Sequence, residues 1–286
     1  MIVARTIPEV RQAVAAARAD GRRVGLVPTM GALHEGHLSL VRAATEGCDF
    51  VVVSIFVNPT QFAPGEDLDT YPRPVEADLS ACRQEGADMV FLPEVTTLYG
   101  DGAATTVTVS GVTEALCGRS RPAHFAGVTT ICAKLFNIVG ADAAYVGAKD
   151  FQQSVVIARM VEDLDIPIEI VRCPIVREAD GLAMSSRNAF LTAEERSQAA
   201  AIHKALATAE GMIRRDQPRA TDVVTAVADH LAANAPDGRV DYIQVVDPGT
   251  LRDVERSIPP VVVAVAVYFR DTRLIDNVLV DTAAGS

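Results

Sequence analysis

His34 and His37 stand three residues apart in Pro28-Thr29-Met30-Gly31-Ala32-Leu33-His34-Glu35-Gly36-His37, directly after the apolar run 23–28. An apolar strand that breaks at Gly31, followed by a helix, aims unpaired backbone N–H groups and the positive end of a helix dipole at one point. On that helix the two imidazoles share a face, one turn apart, as hydrogen-bond donors to an anion. Paired histidines also suit zinc. The spacing is not His-Glu-x-x-His, however, and no third ligand cluster lies nearby. The segment fits contact with the phosphates of a nucleotide.

Other chemistry-bearing residues stand where strands end. Lys149-Asp150 follow the strand 144–146 and Gly147-Ala148, so the lysine reaches a phosphate while the aspartate accepts from a ribose hydroxyl. Asn58 and Gln61 leave a strand by a proline turn and offer uncharged amides to a polar substrate; Gln153, one turn after Asp150, faces the same cleft. Met184-Ser185-Ser186-Arg187 supplies two hydroxyls and a guanidinium for β- and γ-phosphates. The segment 121–128 reads as a mixed basic and apolar turn, either a substrate-facing wall or loop packing. There is no Gly-x-x-x-x-Gly-Lys loop, no Gly-x-Gly-x-x-Gly and no nucleophile elbow.

The elements that must position these residues alternate: strand 23–28, helix 34–47, strand 50–57, helix 75–86, strand 89–92. The early strands are continuous apolar runs, as expected of a parallel sheet covered on both faces, and βαβ order makes it a doubly wound α/β sheet with ligands at its carboxyl ends. Past 174 the texture changes to alanine-rich helices over 193–216 and 220–234, with Thr192 and Glu195 forming a capping box, and then strands 241–246, 261–267 and 274–280. A smaller α+β second domain begins near Val176.

The 286 residues carry a formal charge of -11, which argues against nucleic acid and anionic membrane as partners. The run 259–269 is valine-rich and too short to span a bilayer, so it reads as a strand. Cys48, Cys82, Cys117, Cys132 and Cys173 are scattered singly in a chain that opens Met-Ile-Val-Ala-Arg, and read as reduced core thiols of a cytoplasmic protein.

His-Glu-Gly-His resembles the His-x-Gly-His signature of the nucleotidyltransferases. The segments 28–37, Phe56-Val57-Asn58-Pro59-Thr60-Gln61-Phe62, Tyr71-Pro72-Arg73, 121–128, 147–153 and Asp180-Gly181-Leu182-Ala183-Met184-Ser185-Ser186-Arg187-Asn188 together resemble, in order, the pantoate–β-alanine ligase family. The resemblance implies a Rossmann-like domain over 1–175, a lid domain over 176–286, a homodimer, and ATP-dependent amide formation through pantoyl adenylate. It also implies site roles. Met30, Gly31, Ala32, Leu33, His34, Glu35, Gly36, His37, Gly147, Ala148, Lys149 and Asp150 would bind ATP, completed by Val176, Met184, Ser185, Ser186 and Arg187. Gln61, Gln153 and Asn58 would take pantoate and β-alanine.

His34, His37, Lys149, Ser185, Ser186 and Arg187 would be catalytic, with His37 the candidate proton donor. The acidic pair that the family uses toward Mg²⁺ stands here as Glu76-Ala77-Asp78, leaving Asp78 as metal ligand and the ion mainly on the phosphates. Ala148 replaces a Glu or Gln common in the family. Alternatives are another His-x-Gly-His nucleotidyltransferase and a non-catalytic nucleotide-binding regulator. A class I aminoacyl-tRNA synthetase is disfavoured by the acidic chain.

Overall fold

The computed structural model describes residues 1–63, 65 and 68–282. Its first part runs β1 (Ile2–Ala4), α1 (Ile7–Ala19), β2 (Val24–Thr29), α2 (Glu35–Gly47), β3 (Phe50–Ile55), α3 (Val75–Gln84), β4 (Met89–Phe91), α4 (Val95–Leu98), α5 (Cys117–Ser120), α6 (His124–Val139), β5 (Ala143–Gly147), α7 (Phe151–Asp163) and β6 (Glu169–Cys173). The six strands pair in parallel in the order β1-β4-β3-β2-β5-β6. Every residue of β3 is buried, which is why Phe-Val-Val-Val-Ser-Ile shows no alternation: one apolar cluster covers each face of the sheet.

The strand order decides where the site lies. From β2 the chain winds outward through β3 to β4, then resumes on the opposite side of β2 with β5 and β6. The order reverses between β2 and β5, which are paired at Gly25–Ala143 and Leu26–Ala144. Helices leave such neighbouring strands on opposite faces, so a crevice opens at their carboxyl ends. The loops that fill it are 30–34 and 148–150.

The second part comprises α8 (Ala193–Ala199), α9 (Ala201–Asp216), α10 (Ala220–Asn234), β7 (Gly238–Val246), β8 (Val261–Phe269) and β9 (Thr272–Val280). Its strands form an antiparallel sheet in that order, with a core of its own that includes Ile202, Leu206, Val265 and Phe269. Thr192 and Glu195 form the expected capping box on α8. The helical stretch 193–216 is two helices, separated at Ala200.

The largest departure from expectation is α6. Of the turn read over 121–128, residues 124–128 are already the start of a helix of 16 residues, whose last turn closes on Gly140 at φ 60. Twelve residues of α6 are buried, including Phe125, Ile131, Leu135 and Phe136, so it lacks the polar face that betrays a helix by its period. The strands β1 and β6 and helix α1 are also additions to the expected elements, whereas α7 is the helix expected to start at Asp150. All five cysteines are free and buried, as read.

Candidate active site

The turn after β2 is built by backbone conformation. Gly31 (φ 80) and Ala32 (φ 51) are both left-handed, which curls successive N–H groups toward one point. That point is filled by Asp78 of α3. Its carboxylate accepts from Ala32 N at 2.9 Å and Leu33 N at 2.8 Å, and it is 2% exposed. A Cβ on Gly31 would come within 3.0 Å of Asp78 Oδ2, so glycine lets the carboxylate in.

Two expectations are thereby corrected. Ala32 N and Leu33 N donate to a protein carboxylate instead of phosphate, while Gly31 N donates to Thr29 Oγ1 at 3.1 Å, and the Asp78 carboxylate is taken up by those two backbone donors. No group of three or more His, Cys, Asp or Glu is arranged to hold a metal among the described residues.

His34 and His37 do not sit on one helical face. His34 is the extended N-cap of α2, and its Nδ1 accepts from Gly36 N at 3.1 Å; His37 Nδ1 accepts from His34 N at 3.3 Å. This is a capping box made by two imidazoles, which usually takes a hydroxyl and a carboxamide or carboxylate. Since both Nδ1 atoms accept, the network assigns both protons to Nε2.

The rings lie 4.1 Å apart. Burial, reinforced by His34 and Lys149, drives the His37 pKa down to about 3, against a smaller opposing pull from Asp150. Burial followed by Lys149 lowers that of His34 as well. Burial thus favours the neutral imidazole of His37, whose Nε2–H is available as a hydrogen-bond donor.

Across the crevice, β5 ends in a single tight turn, Ala148–Asp150, that carries Lys149 and Asp150. It is clamped from the second part of the chain: Asn277 of β9 donates to Ala148 O and Lys149 O, both at 3.0 Å. The adjacent Asp276 takes a two-pronged ion pair from Arg177, at 2.6 and 3.0 Å, and Arg177 also donates to Gly181 O. Arg196 bridges Glu178 and Asp180. Ser185 Oγ accepts from Arg187 N at the start of the short turn Ser186–Phe190. Asn277, the residue joining both sides, gave no signal in the sequence.

Gln61 and Asn58 part company. Asn58 is fully buried: its amide donates to Gln61 Oε1 (2.9 Å) and Gly127 O (3.1 Å), and its oxygen accepts from Tyr99 Oη and Thr60 Oγ1. With both ends occupied by the protein, Asn58 is not a substrate contact, correcting that expectation; it orients Gln61. The close approach needs Gly127, where a Cβ would meet Thr60 O at 2.3 Å. Gln61 O in turn accepts from Arg121 Nη2 at 3.1 Å and lies 3.0 Å from His124 Nδ1.

These groups surround a cavity of about 240 Å³. Met30, His34, Gly36 and His37 line one side; Gly147, Lys149, Asp150 and Gln153 a second; Val176, Met184, Ser185, Ser186 and Arg187 a third. Gln61 lies against an apolar wall that includes Phe62, Tyr71, Val128, Ile131 and Leu135. Gly31, Ala32, Leu33 and Ala148 stay behind this surface, and Glu35 turns outward to pair with Arg42. Arg121 and His124, from the segment read as either a substrate-facing wall or loop packing, line it, and Arg121 with Lys149 and Arg187 makes a cationic rim in an acidic chain. Beside it opens a cleft of about 890 Å³ under the antiparallel sheet.

A reversed-order parallel sheet whose crevice presents a His-x-Gly-His turn, a lysine and a Ser-Ser-Arg arc defines an α/β fold with a ligand site at its switch point. The pantoate-beta-alanine ligase family matches residues 2–279, and the chain belongs to that family. It is 52% identical over 281 residues to the pantothenate synthetase of Moorella thermoacetica, covering 98% of this chain and 99% of that one. The crystal structure of pantothenate synthetase from Thermus thermophilus superposes with a TM-score of 0.93 at 42% identity, covering 99% of this chain and all of that one. The pantoate-beta-alanine ligase of Francisella tularensis, complexed with beta-gamma ATP and beta-alanine, gives a TM-score of 0.79 at 31% identity with full coverage of both chains.

Proposed function

We infer that this chain condenses pantoate with β-alanine to pantothenate at the expense of ATP, releasing AMP and pyrophosphate. The observation that carries the site assignment is that one cavity is lined both by imidazoles, Lys149 and the 184–187 arc and by the Gln61 and Gln153 amides together with apolar side chains. Phosphates belong on the first side. A branched hydroxy acid, with methyl groups to bury and hydroxyls to hydrogen-bond, belongs on the second.

In the first step a carboxylate oxygen of pantoate attacks the α-phosphorus, and the bond to the bridging oxygen breaks with pyrophosphate taking the electron pair. Negative charge grows on the non-bridging oxygens. The Nε2–H groups of His34 and His37 and the ammonium of Lys149 stabilise it without losing a proton. Ser185, Ser186 and Arg187 hold the departing pyrophosphate. In the second step the neutral amine of β-alanine, arriving beside Gln61, attacks the acyl carbonyl; AMP leaves and the amine's proton passes to solvent. Asp150 takes a ribose hydroxyl, and Val176 and Met184 face the base. Mg²⁺, implied by the family resemblance, has no protein ligands assigned to it and would arrive on the phosphates of ATP.

The same reading places a nucleotide- and pantoate-binding domain over 1–175 and a lid domain over 176–286, each with its own sheet. It places the protein in the cytoplasm, which five unpaired thiols fit, and pairs it as a homodimer. No helix among the described residues is long and apolar enough to cross a membrane. The test is exchange of labelled pyrophosphate into ATP without β-alanine. Exchange that requires pantoate supports the acyl adenylate; ATP binding with no exchange sinks it in favour of a nucleotide-binding regulator.

A further inference from the structure

The arc that closes the cavity from the second part of the chain is a hairpin. Arg177 and Ala183 bridge in antiparallel fashion, Met184 N donates to Val176 O at 3.0 Å, and Glu178 N donates to Leu182 O at 2.8 Å. Val176 and Met184 therefore stand at its open end, in the cavity wall, and Asp180 and Gly181 at its tip. The tip rests on α9. Gly181 is left-handed at φ 95, and a Cβ there would come within 2.2 Å of His203 Cδ2, so only glycine lets the imidazole lie against this backbone. Arg177 holds the same turn, donating to Gly181 O at 3.0 Å while it pairs with Asp276. Asp276 is followed by Asn277, the clamp on Ala148 and Lys149. His203 thus seats a hairpin whose other end lines the cavity.

The seat suits a neutral ring. His203 Nδ1 is buried and meets no hydrogen-bond partner among the described residues. Left bare, that nitrogen is an acceptor without a donor; protonated, it is a buried N–H without an acceptor and part of a second cation beside Arg177, which costs more. The charged groups that act on the ring come from three elements: Arg177 of the hairpin, Asp276 of β9 and Glu210 of α9. Burial and then Arg177 lower its pKa, against opposing pulls from Asp276 and Glu210. Asp276 is already held by Arg177, and Arg196 bridges Glu178 and Asp180 of the hairpin. A protonated ring finds water for its second N–H only by leaving Gly181, and the tip then loses its support.

We propose that His203 is a positioning residue for the nucleotide: neutral, it seats the tip of the hairpin 176–184 so that Val176 and Met184 close on ATP, and its protonation in mildly acid solution frees the tip and loosens that wall. The inference rests on the reading of this cavity as an ATP site. His203 itself does not line the cavity and acts through Gly181 and Arg177. Linkage is reciprocal, so ATP bound to the seated hairpin disfavours the proton on His203 to the same degree.

The experiment is calorimetric titration of the full chain with ATP between pH 8 and pH 5.5, for the wild type, His203→Gln and His203→Ala. His203→Gln fills the seat and takes no proton, so it is expected to match the wild type at pH 8. Toward pH 5.5 the wild type is expected to lose about 5–10-fold more affinity than His203→Gln, the low end of coupling between linked sites. Groups common to both proteins, His34, His37 and the ATP phosphates among them, cancel in that comparison. His203→Ala empties the seat and is expected to bind ATP about 5–10-fold more weakly already at pH 8, the loss appearing in KM and not in kcat of pantoate-dependent exchange. Long-range ¹H–¹⁵N correlation of the His203 ring is expected to show its titration moved to lower pH by saturating ATP. A His203→Gln variant that follows the wild type at every pH overturns the role of the proton. A folded His203→Ala variant that binds ATP as the wild type does at pH 8 overturns the seat, and a His203 titration indifferent to ATP overturns its link to the nucleotide. Should His203→Ala not fold, by far-UV circular dichroism, His203→Gln and the ring titration decide. A wild type that binds no ATP at any pH removes the ATP reading, and this inference with it, and is distinct from each of those results.

Discussion

Asp78 and the paired histidines hold the turn after β2 through links that stay within the parallel-sheet unit, with Asp78 only 2% exposed. The arc 176–187, facing the same cavity, is held by ion pairs of the antiparallel-sheet unit, and those of Arg196 lie at side-chain exposures of 28%, 29% and 41%. Buried acceptors on backbone N–H groups fix geometry, because the alternative is an unsatisfied donor. The partly exposed pairs of Arg196 contribute little and yield easily, while the two-pronged Arg177–Asp276 pair is the arc's buried anchor. The first wall is therefore preorganised for charge developing at the α-phosphorus, and the second is suited to adjust around the nucleotide. Asn277, reaching from β9 to Ala148 O and Lys149 O, is the link between them.

This contrast predicts where mutations act. On the fixed wall, His37→Ala removes a donor to the reacting phosphate and releases the N–H of His34. Loss of one preorganised donor of this kind lowers kcat by about 10²–10³. Pantoate-dependent exchange is expected to fall by that much with ATP affinity nearly kept; an equal rise in KM instead would place the histidine in ground-state binding. Asp78→Ala strands two backbone donors and is expected to cost about 2–5 kcal/mol of stability, read from the urea midpoint, with exchange falling alongside. Asp78→Asn, which keeps one acceptor, should recover part of both. A variant as stable as the wild type would break the claim that this turn is held by Asp78.

Asn277→Ala works on the link and should behave differently. Two neutral hydrogen bonds to the 148–149 carbonyls contribute about 1–3 kcal/mol together, so KM for ATP is expected to rise roughly tenfold with kcat little changed. A large loss of kcat would erase the distinction between the walls. The contrast also has a pH dependence. His37 has a folded pKa of about 3, below its ordinary value of 6.5. The unfolded chain binds the proton that the folded one refuses, so stability is fully present above about pH 6.5 and declines as pH falls toward 3. His37→Asn should flatten that decline in denaturant titrations at successive pH values.

How far these features were legible in the sequence follows from the range of the interactions. The continuous apolar runs of β2 and β3 and the Thr192–Glu195 cap are local, and they read correctly. The helix α6 escaped because burial on nearly every side removes the period that marks a surface helix. The roles of Asp78 and Asn58 escaped for another reason: an acidic or amide side chain near a site reads as a ligand contact unless its acceptor or donor partners are seen. Asp78 meets Leu33 across 45 residues, and Asn277 meets Ala148 across 129, which no spacing rule reaches.

The central claim is that His34 and His37 enter the reaction as neutral Nε2–H donors locked by their own capping box. Long-range ¹H–¹⁵N correlation of the imidazole nitrogens, titrated from pH 8 to pH 5, tests it directly. The account predicts protonated Nε2 and bare, hydrogen-bonded Nδ1 in both rings, with His37 unchanged across the range. A His37 that titrates near its ordinary 6.5, or carries its proton on Nδ1, would contradict it.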